Sequence, residues 1–209
     1  MVLGLLSLCH FKESIMQALE NLVSEIKGCR LCASCFEHEP RPVLQVHPKA
    51  SILIAGQAPG RKVHETGVPF DDASGDRLRL WLGLSKEEFY DPELVAILPM
   101  GFCFPGTGKS GDLPPRPECA KAWRSDLMAF LPNLKVKLLV GQYALNWHMK
   151  GQVRKNLTET VKAWKDFQAD GYFPMPHPSP RNNIWLSKNQ WFEAEVVPEL
   201  QAQVRDCIN

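Results

Sequence analysis

The chain has 209 residues, 44% of them apolar and 22% charged, and its 24 Lys and Arg nearly balance 23 Asp and Glu for a net charge of +1. That length suits one domain with a core of its own and no need of disulfides. The charge balance excludes a protein coated in positive charge, although not a local basic groove.

No run approaches the ~20 apolar residues of a membrane span. The first nine residues are apolar but short, and no basic stretch precedes them. No export signal is therefore expected, and the cytoplasm is the expected location. Residues 1–11 read as an N-terminal extension and 12–209 as a single domain.

Within 12–28, Ile15, Leu19, Leu22, Val23 and Ile26 recur at helical spacing until Gly28. A Cys-rich turn and a Pro-containing loop reach residue 50. The apolar run 51–55 ends at Gly56 and reads as a buried strand opening into a loop. A helix is expected over 74–84 with Ser74 as N-cap, a second strand over 94–98, and a helix over 117–131. A third strand, 136–140, again ends at a Gly. Helices follow over 142–150 and 156–168, then a short segment 172–175 leading into His177-Pro178-Ser179, and an amphipathic helix over 187–206. Strands alternating with helices predict a three-layer α/β/α sandwich with a short, mainly parallel central sheet. Ligands gather beyond the carboxyl ends of such strands. The loops starting at Gly56, Pro99, Gly141 and Pro176 are expected to face one crevice.

There are seven cysteines, an odd number. Without an export signal, metal, cluster or plain buried thiols come before disulfides. Cys29 and Cys32 form a C-x-x-C, which Cys35 extends, and Cys103 and Cys119 bracket a Pro- and Gly-rich loop. Four thiolates can complete a zinc site or hold a 4Fe–4S cluster, and the spacing does not choose between them. Buried small hydrophobes are the plainer reading. Cys9 and Cys207 have no partners in the sequence and read as structural.

Gly56-Gln57-Ala58-Pro59-Gly60 is neither a dinucleotide fingerprint nor a P-loop. Its glycines let the backbone approach a ligand closely, as they would in an ordinary tight turn. Thr66-Gly67-Val68-Pro69-Phe70-Asp71-Asp72-Ala73-Ser74-Gly75 sets an aromatic ring beside two carboxylates at an expected helix N-terminus, where Asp residues also serve as caps. His177 lies between prolines at the end of an expected strand.

These segments, in this order, resemble the uracil-DNA glycosylase superfamily, and within it the iron–sulfur enzymes of families 4 and 5. The first family motif is matched by Gly56 to Gly60 and Thr66 to Phe70, and the late His-Pro-Ser motif by His177 to Ser179. Leu138 to Leu145 resembles the family's Gly-x-x-Ala-Leu stretch. The resemblance covers about residues 12–206. It implies a structural 4Fe–4S cluster held by Cys29, Cys32, Cys103 and Cys119, with zinc as the alternative. It further implies an enzyme that acts alone on DNA.

The implied chemistry is base excision. A base must leave the duplex to be reached. Phe70 would stack on it, with Gly56, Ala58 and Pro59 lining the base site. His177 would donate a hydrogen bond to the base oxygen as the departing anion forms. A carboxylate near the sugar would stabilise the oxocarbenium and orient water. Ser179, Arg181, Asn182 and Lys188 would contact DNA.

The sequence also departs from its relatives. The first motif lacks its carboxylate: Gln57 stands where family 4 has an acid, and Ala58 where family 1 has an Asp. Asp72 matches the Asp of family 5 and is assigned as the carboxylate, with Asp71 second and Gln57 beside them. Pro99 stands where family 4 has an Asn that reads the uracil edge. These departures keep two rivals open: a superfamily member that binds DNA or flipped bases without excision, and a metal-stabilised nucleotide hydrolase.

Overall fold

The computed structural model describes the backbone of residues 2–109 and 111–208, with side chains from Glu13 onward. Cys9 lies outside the described side chains. The first helix, α1 (Val2–Lys27), begins ten residues before the expected start, so the backbone of the expected extension is continuous with the first helix. It stops at Gly28, whose N–H bonds the Ser24 carbonyl at 3.0 Å.

The expected strands are all present: β1 (Ile52–Ala55), then after α2 (Arg61–Thr66), α3 (Ala73–Leu82) and α4 (Lys86–Tyr90) comes β2 (Val95–Ile97). A small hairpin of β3 (Thr107–Gly108) and β4 (Gly111–Asp112) precedes α5 (Pro117–Ala129) and β5 (Val136–Val140). Next are α6 (Gln142–His148), α7 (Leu157–Lys162), β6 (Tyr172–Met175), α8 (Asn183–Lys188) and α9 (Val197–Ile208). The central sheet has the order β2-β1-β5-β6 and every pairing in it is parallel.

Alternation along the strands explains the three layers. Side chains of a strand point to opposite faces in turn. Ile52, Ile54, Val136, Leu138 and Val140 face a core completed by Leu78 and Trp81 of α3 and Leu200 and Val204 of α9. Leu53 and Ala96 face the other way, onto Leu19 and Ile26 of α1 and Leu127 of α5. Ala55 and Leu139 meet Ala144 and Leu145 of α6. A parallel sheet buried on both faces calls for near-continuous apolar strands, and β1 is buried throughout.

Three expectations change. The cap of α3 is Asp72, not Ser74: its Oδ1 accepts the Gly75 N–H at 3.0 Å, while Ser74 is buried inside the helix. The helix expected over 156–168 ends at Lys162 and continues as a tighter 3₁₀ turn over Trp164–Asp170. The single helix expected over 187–206 is interrupted: α8 ends at Lys188, the helical path breaks at Asn189 and Gln190, and a widened π turn at Phe192–Val196 then runs into α9. Pro198 follows that turn. Its missing N–H leaves the Ala194 carbonyl without an i+4 donor, which the wider turn accommodates.

Arg124 of α5 is buried and donates to the carbonyls of Leu98 and Pro99, both at 2.6 Å, fixing the loop that leaves β2. His148 Nε2 lies 3.0 Å from Arg124 Nη1. Burial first, then the charges of Arg124 and Lys137, push the His148 imidazole down to about 3. The unfolded chain takes up this proton near 6.5 and the folded chain does not until about 3. The neutral histidine's contribution is therefore complete above pH 6.5 and is lost as pH falls toward 3, at up to about 1.4 kcal/mol per pH unit. Urea unfolding at pH 7 and pH 5 should show this loss, and His148→Gln should flatten it. Equal slopes in both proteins would mean that another group carries the acid sensitivity.

Among the described residues no helix is long and apolar enough to cross a membrane.

Candidate active site

Three of the four expected loops converge. The segment after β1, the loop after β2 and the loop after β6 line one cleft of about 510 Å³, within the usual size of a small-molecule site. Gly56 to Val63, Pro99 and His177 all face it; Gly141 does not. Phe70 and Asp72 form a further wall, with Ser179, Arg181 and Asn182 at the rim.

Phe70 is the one described non-glycine residue with positive φ, at 53°. Holding a bulky residue there costs on the order of 1–3 kcal/mol, and such strain gathers at functional sites. Gly75 makes the conformation possible. A Cβ on Gly75 would stand 2.7 Å from the Phe70 carbonyl carbon and closer still to its oxygen. The ring itself rests edge-on against Phe89, with centroids 6.2 Å apart. It approaches Gly56 so closely that a Cβ there would be in contact at 3.5 Å.

His177 has a defined tautomer. The Ser179 N–H donates to Nδ1 at 3.1 Å, so in the neutral ring the proton sits on Nε2. Burial lowers the imidazole pKa from its ordinary value, opposed by the charges of Asp72 and Asp112. The ring is therefore neutral at physiological pH and offers one N–H donor. Its loop is held by groups that the sequence did not single out. Arg77 of α3 donates to the carbonyls of Pro178 and Ser179, both at 3.2 Å, and to Asn183 Oδ1 at 2.8 Å. Asn182 is turned inward and donates to the His177 carbonyl at 2.9 Å.

The other expected site residues separate. Gln57 lines the cleft, but its amide donates to the Leu113 carbonyl at 3.2 Å. Ala58 and Pro59 line the cleft. Asp71 is not among its lining residues and acts instead on Tyr90. Lys188 ends α8 and also lies outside the cleft lining. Arg61, Lys62 and Asp112 line it without having been foreseen. Arg61 and Lys62 are exposed charges on a six-residue helix, a pattern too common to carry a signal.

Cys29, Cys32, Cys103 and Cys119 line a second cavity, while Cys35 is exposed and outside it. Among the described residues no three His, Cys, Asp or Glu side chains are arranged to hold one metal ion. The four thiols thus share a cavity without converging as a tetrahedral single-ion site requires. Burial first, then neighbouring thiols, push Cys103 up to about 12. Burial likewise pushes Cys119 up to about 11, against the Phe102 N–H that donates to its sulfur at 3.3 Å. Trp123 and Arg116 line the same cavity, and Trp123 Nε1 and Arg116 Nε are buried without a hydrogen-bond partner. Arg41 lies between the two cavities: its backbone bonds Cys103, and its guanidinium holds the end of α2 by donating to the carbonyls of His64 and Glu65 at 2.7 and 2.6 Å. Cys207 packs against the main core, as a structural thiol would.

The chain is 34% identical over 88 residues to the type-4 uracil-DNA glycosylase of Archaeoglobus fulgidus, a match covering 40% of this chain and 44% of that protein. The chain thus matches less than half the length of that relative. A family model, the uracil DNA glycosylase superfamily, matches residues 44–201, which hold every strand of the sheet and all of the cleft lining except Val43. The order of motifs, the parallel sheet and this match together show that the chain belongs to the uracil DNA glycosylase superfamily.

Proposed function

We propose that this protein is a monofunctional DNA glycosylase of base-excision repair that hydrolyses the N-glycosidic bond of uracil or another deaminated base, working as a monomer in the cytoplasm. The observation that carries the reading is His177, a neutral imidazole with its single donor on Nε2, in one cleft with Phe70. The flipped base stacks on Phe70. As the bond from the sugar carbon to the base nitrogen breaks, its electron pair passes to the base. Negative charge grows on the base oxygen, and Nε2–H of His177 stabilises it. Asp72, anchored at the end of α3, faces the oxocarbenium as a fixed negative charge. Arg61, Lys62 and Arg181 on the rim supply local positive charge for phosphates.

The cysteine cavity fits a 4Fe–4S cluster. Its lining supplies four thiols, and cluster sulfides would accept from the unpartnered Trp123 Nε1–H and Arg116 Nε–H. Cys29 and Cys32 of the C-x-x-C turn, Cys103 and Cys119 of α5 would hold the cluster, and it would supply a structural cross-link between those segments; hydrolysis needs no redox step. Cys103→Ser should then lower the melting temperature of the loaded protein by several degrees and bleach its visible absorbance. Unchanged melting with full absorbance would remove Cys103 from the ligand set.

The direct test uses brown, cluster-loaded protein and labelled single- and double-stranded oligonucleotides carrying uracil, hypoxanthine or xanthine. Alkali-labile breaks at one base are the expected result. Oligonucleotide binding without breaks would favour the rival that recognises bases but does not excise them, with Gln57 and Pro99 as its explanation.

A further inference from the structure

The loop after β1 presents no carboxylate, yet two carboxylates line the cleft. One is Asp72, and the other is Asp112 at the end of the hairpin. They differ in how they are held. One oxygen of Asp72 is committed to the Gly75 N–H. Among the described residues no group donates to the Asp112 carboxylate, which is exposed to solvent.

Asp112 is nevertheless placed with care. Its residue pairs with Thr107 across the hairpin, and Thr107 Oγ1 accepts from Arg61 Nη2 at 3.3 Å. The next carbonyl, that of Leu113, accepts the Gln57 amide. The Arg181 guanidinium packs directly on Gly111, which has no side chain to obstruct it. Gly60 leaves the approach open on the other side: a Cβ there would stand 3.5 Å from Asp112 Oδ2. Gln57, which belongs to the segment lacking an acid, thus anchors the residue that follows Asp112, and Gly60 of the same segment leaves Asp112 room. The charge of Asp112 reaches the His177 imidazole, as does that of Asp72.

We infer that Asp112 is the catalytic carboxylate that orients the attacking water and takes its proton, leaving Asp72 as the fixed charge beside the sugar. The inference rests on the glycosylase reading above. In the step it describes, the water oxygen bonds to the sugar carbon, one water proton passes to Asp112, and the glycosidic electron pair leaves with the base. Both oxygens of Asp112 are available to accept from a water, whereas one oxygen of Asp72 is already committed to the helix cap.

The test is single-turnover excision from a uracil oligonucleotide by the cluster-loaded protein, its Asp112→Asn, Asp112→Ala and Asp112→Glu variants, and Asp72→Asn. Asp112→Asn is expected to slow excision by about 10²–10⁴-fold while binding the oligonucleotide and melting as the wild type does. Added formate, a small carboxylate, should restore part of the rate to Asp112→Ala, which a merely structural role would not allow. Wild-type excision that persists in Asp112→Asn would overturn the inference and leave the glycosylase reading intact. No excision by the wild type on any of the deaminated bases would overturn both. If Asp112→Asn melts early, Asp112→Glu decides: partial activity sustains the role, and a well-folded inactive Glu variant with no formate rescue in Asp112→Ala overturns it.

Discussion

Replacing His177 by Ala should slow single-turnover excision by about 10²–10³-fold, the usual effect of removing one preorganised donor from a site where negative charge develops. Affinity for the oligonucleotide and the melting temperature should change little, because His177 sits in a loop whose backbone is held independently by Arg77 and Asn182. The neutral tautomer adds a pH signature. Protonating Nδ1 would remove the acceptor of the Ser179 N–H. Because burial lowers this pKa, the imidazole stays neutral as pH falls through 6.5. The His177-dependent component of the rate should therefore persist below that value and decline only at more acid pH. It can be isolated by comparing wild type with His177→Ala at each pH. A component that disappears on the alkaline side of 6.5 would show that the charged ring is the active form.

Gly75→Ala should be the most damaging small substitution in the protein. The added methyl would overlap the Phe70 carbonyl, which is backbone and cannot swing away as a flexible side chain would. Overpacking of this kind costs about 1–3 kcal/mol. Relief would come by moving the Phe70 backbone out of its left-handed conformation, and the stacking ring would move with it. Misplacing a binding group by about 1 Å can cost 10²-fold in rate. Thermal melting and excision should both fall in this variant. Normal melting together with normal excision would show that the Phe70 conformation is dispensable.

Much of this arrangement was legible in the sequence. The strands carried short apolar runs ending at Gly or Pro, a pattern that a doubly buried parallel strand imposes. The cleft-facing positions of Phe70, Asp72 and His177 followed from motif order and from the rule that ligands lie beyond strand ends. What was missed has physical reasons. Helix α4 is five residues long, too short for periodicity, although Ser85 and Glu88 form a capping box. The β3–β4 hairpin has two residues per strand, so no alternation could mark it, and Asp112 was hidden with it. Arg77 was unreadable because its partners are carbonyls about a hundred residues away. Asp72 displaced Ser74 as cap because either residue type serves, and only the helix start decides between them.

The strand order has a consequence for how the chain reaches this state. Ile52 pairs with Val95 on one side and with Val136 on the other. The second pairing requires a long loop to close before any reward, which makes such sheets slow to fold. During synthesis β1 therefore waits, without one of its two neighbours, until β5 has left the ribosome. Cys29, Cys32, Cys103 and Cys119 all precede β5 in the chain. The nascent protein thus presents its complete set of cavity thiols while the edge of its most buried strand is still unpaired, an interval in which both aggregation and oxidation compete with folding.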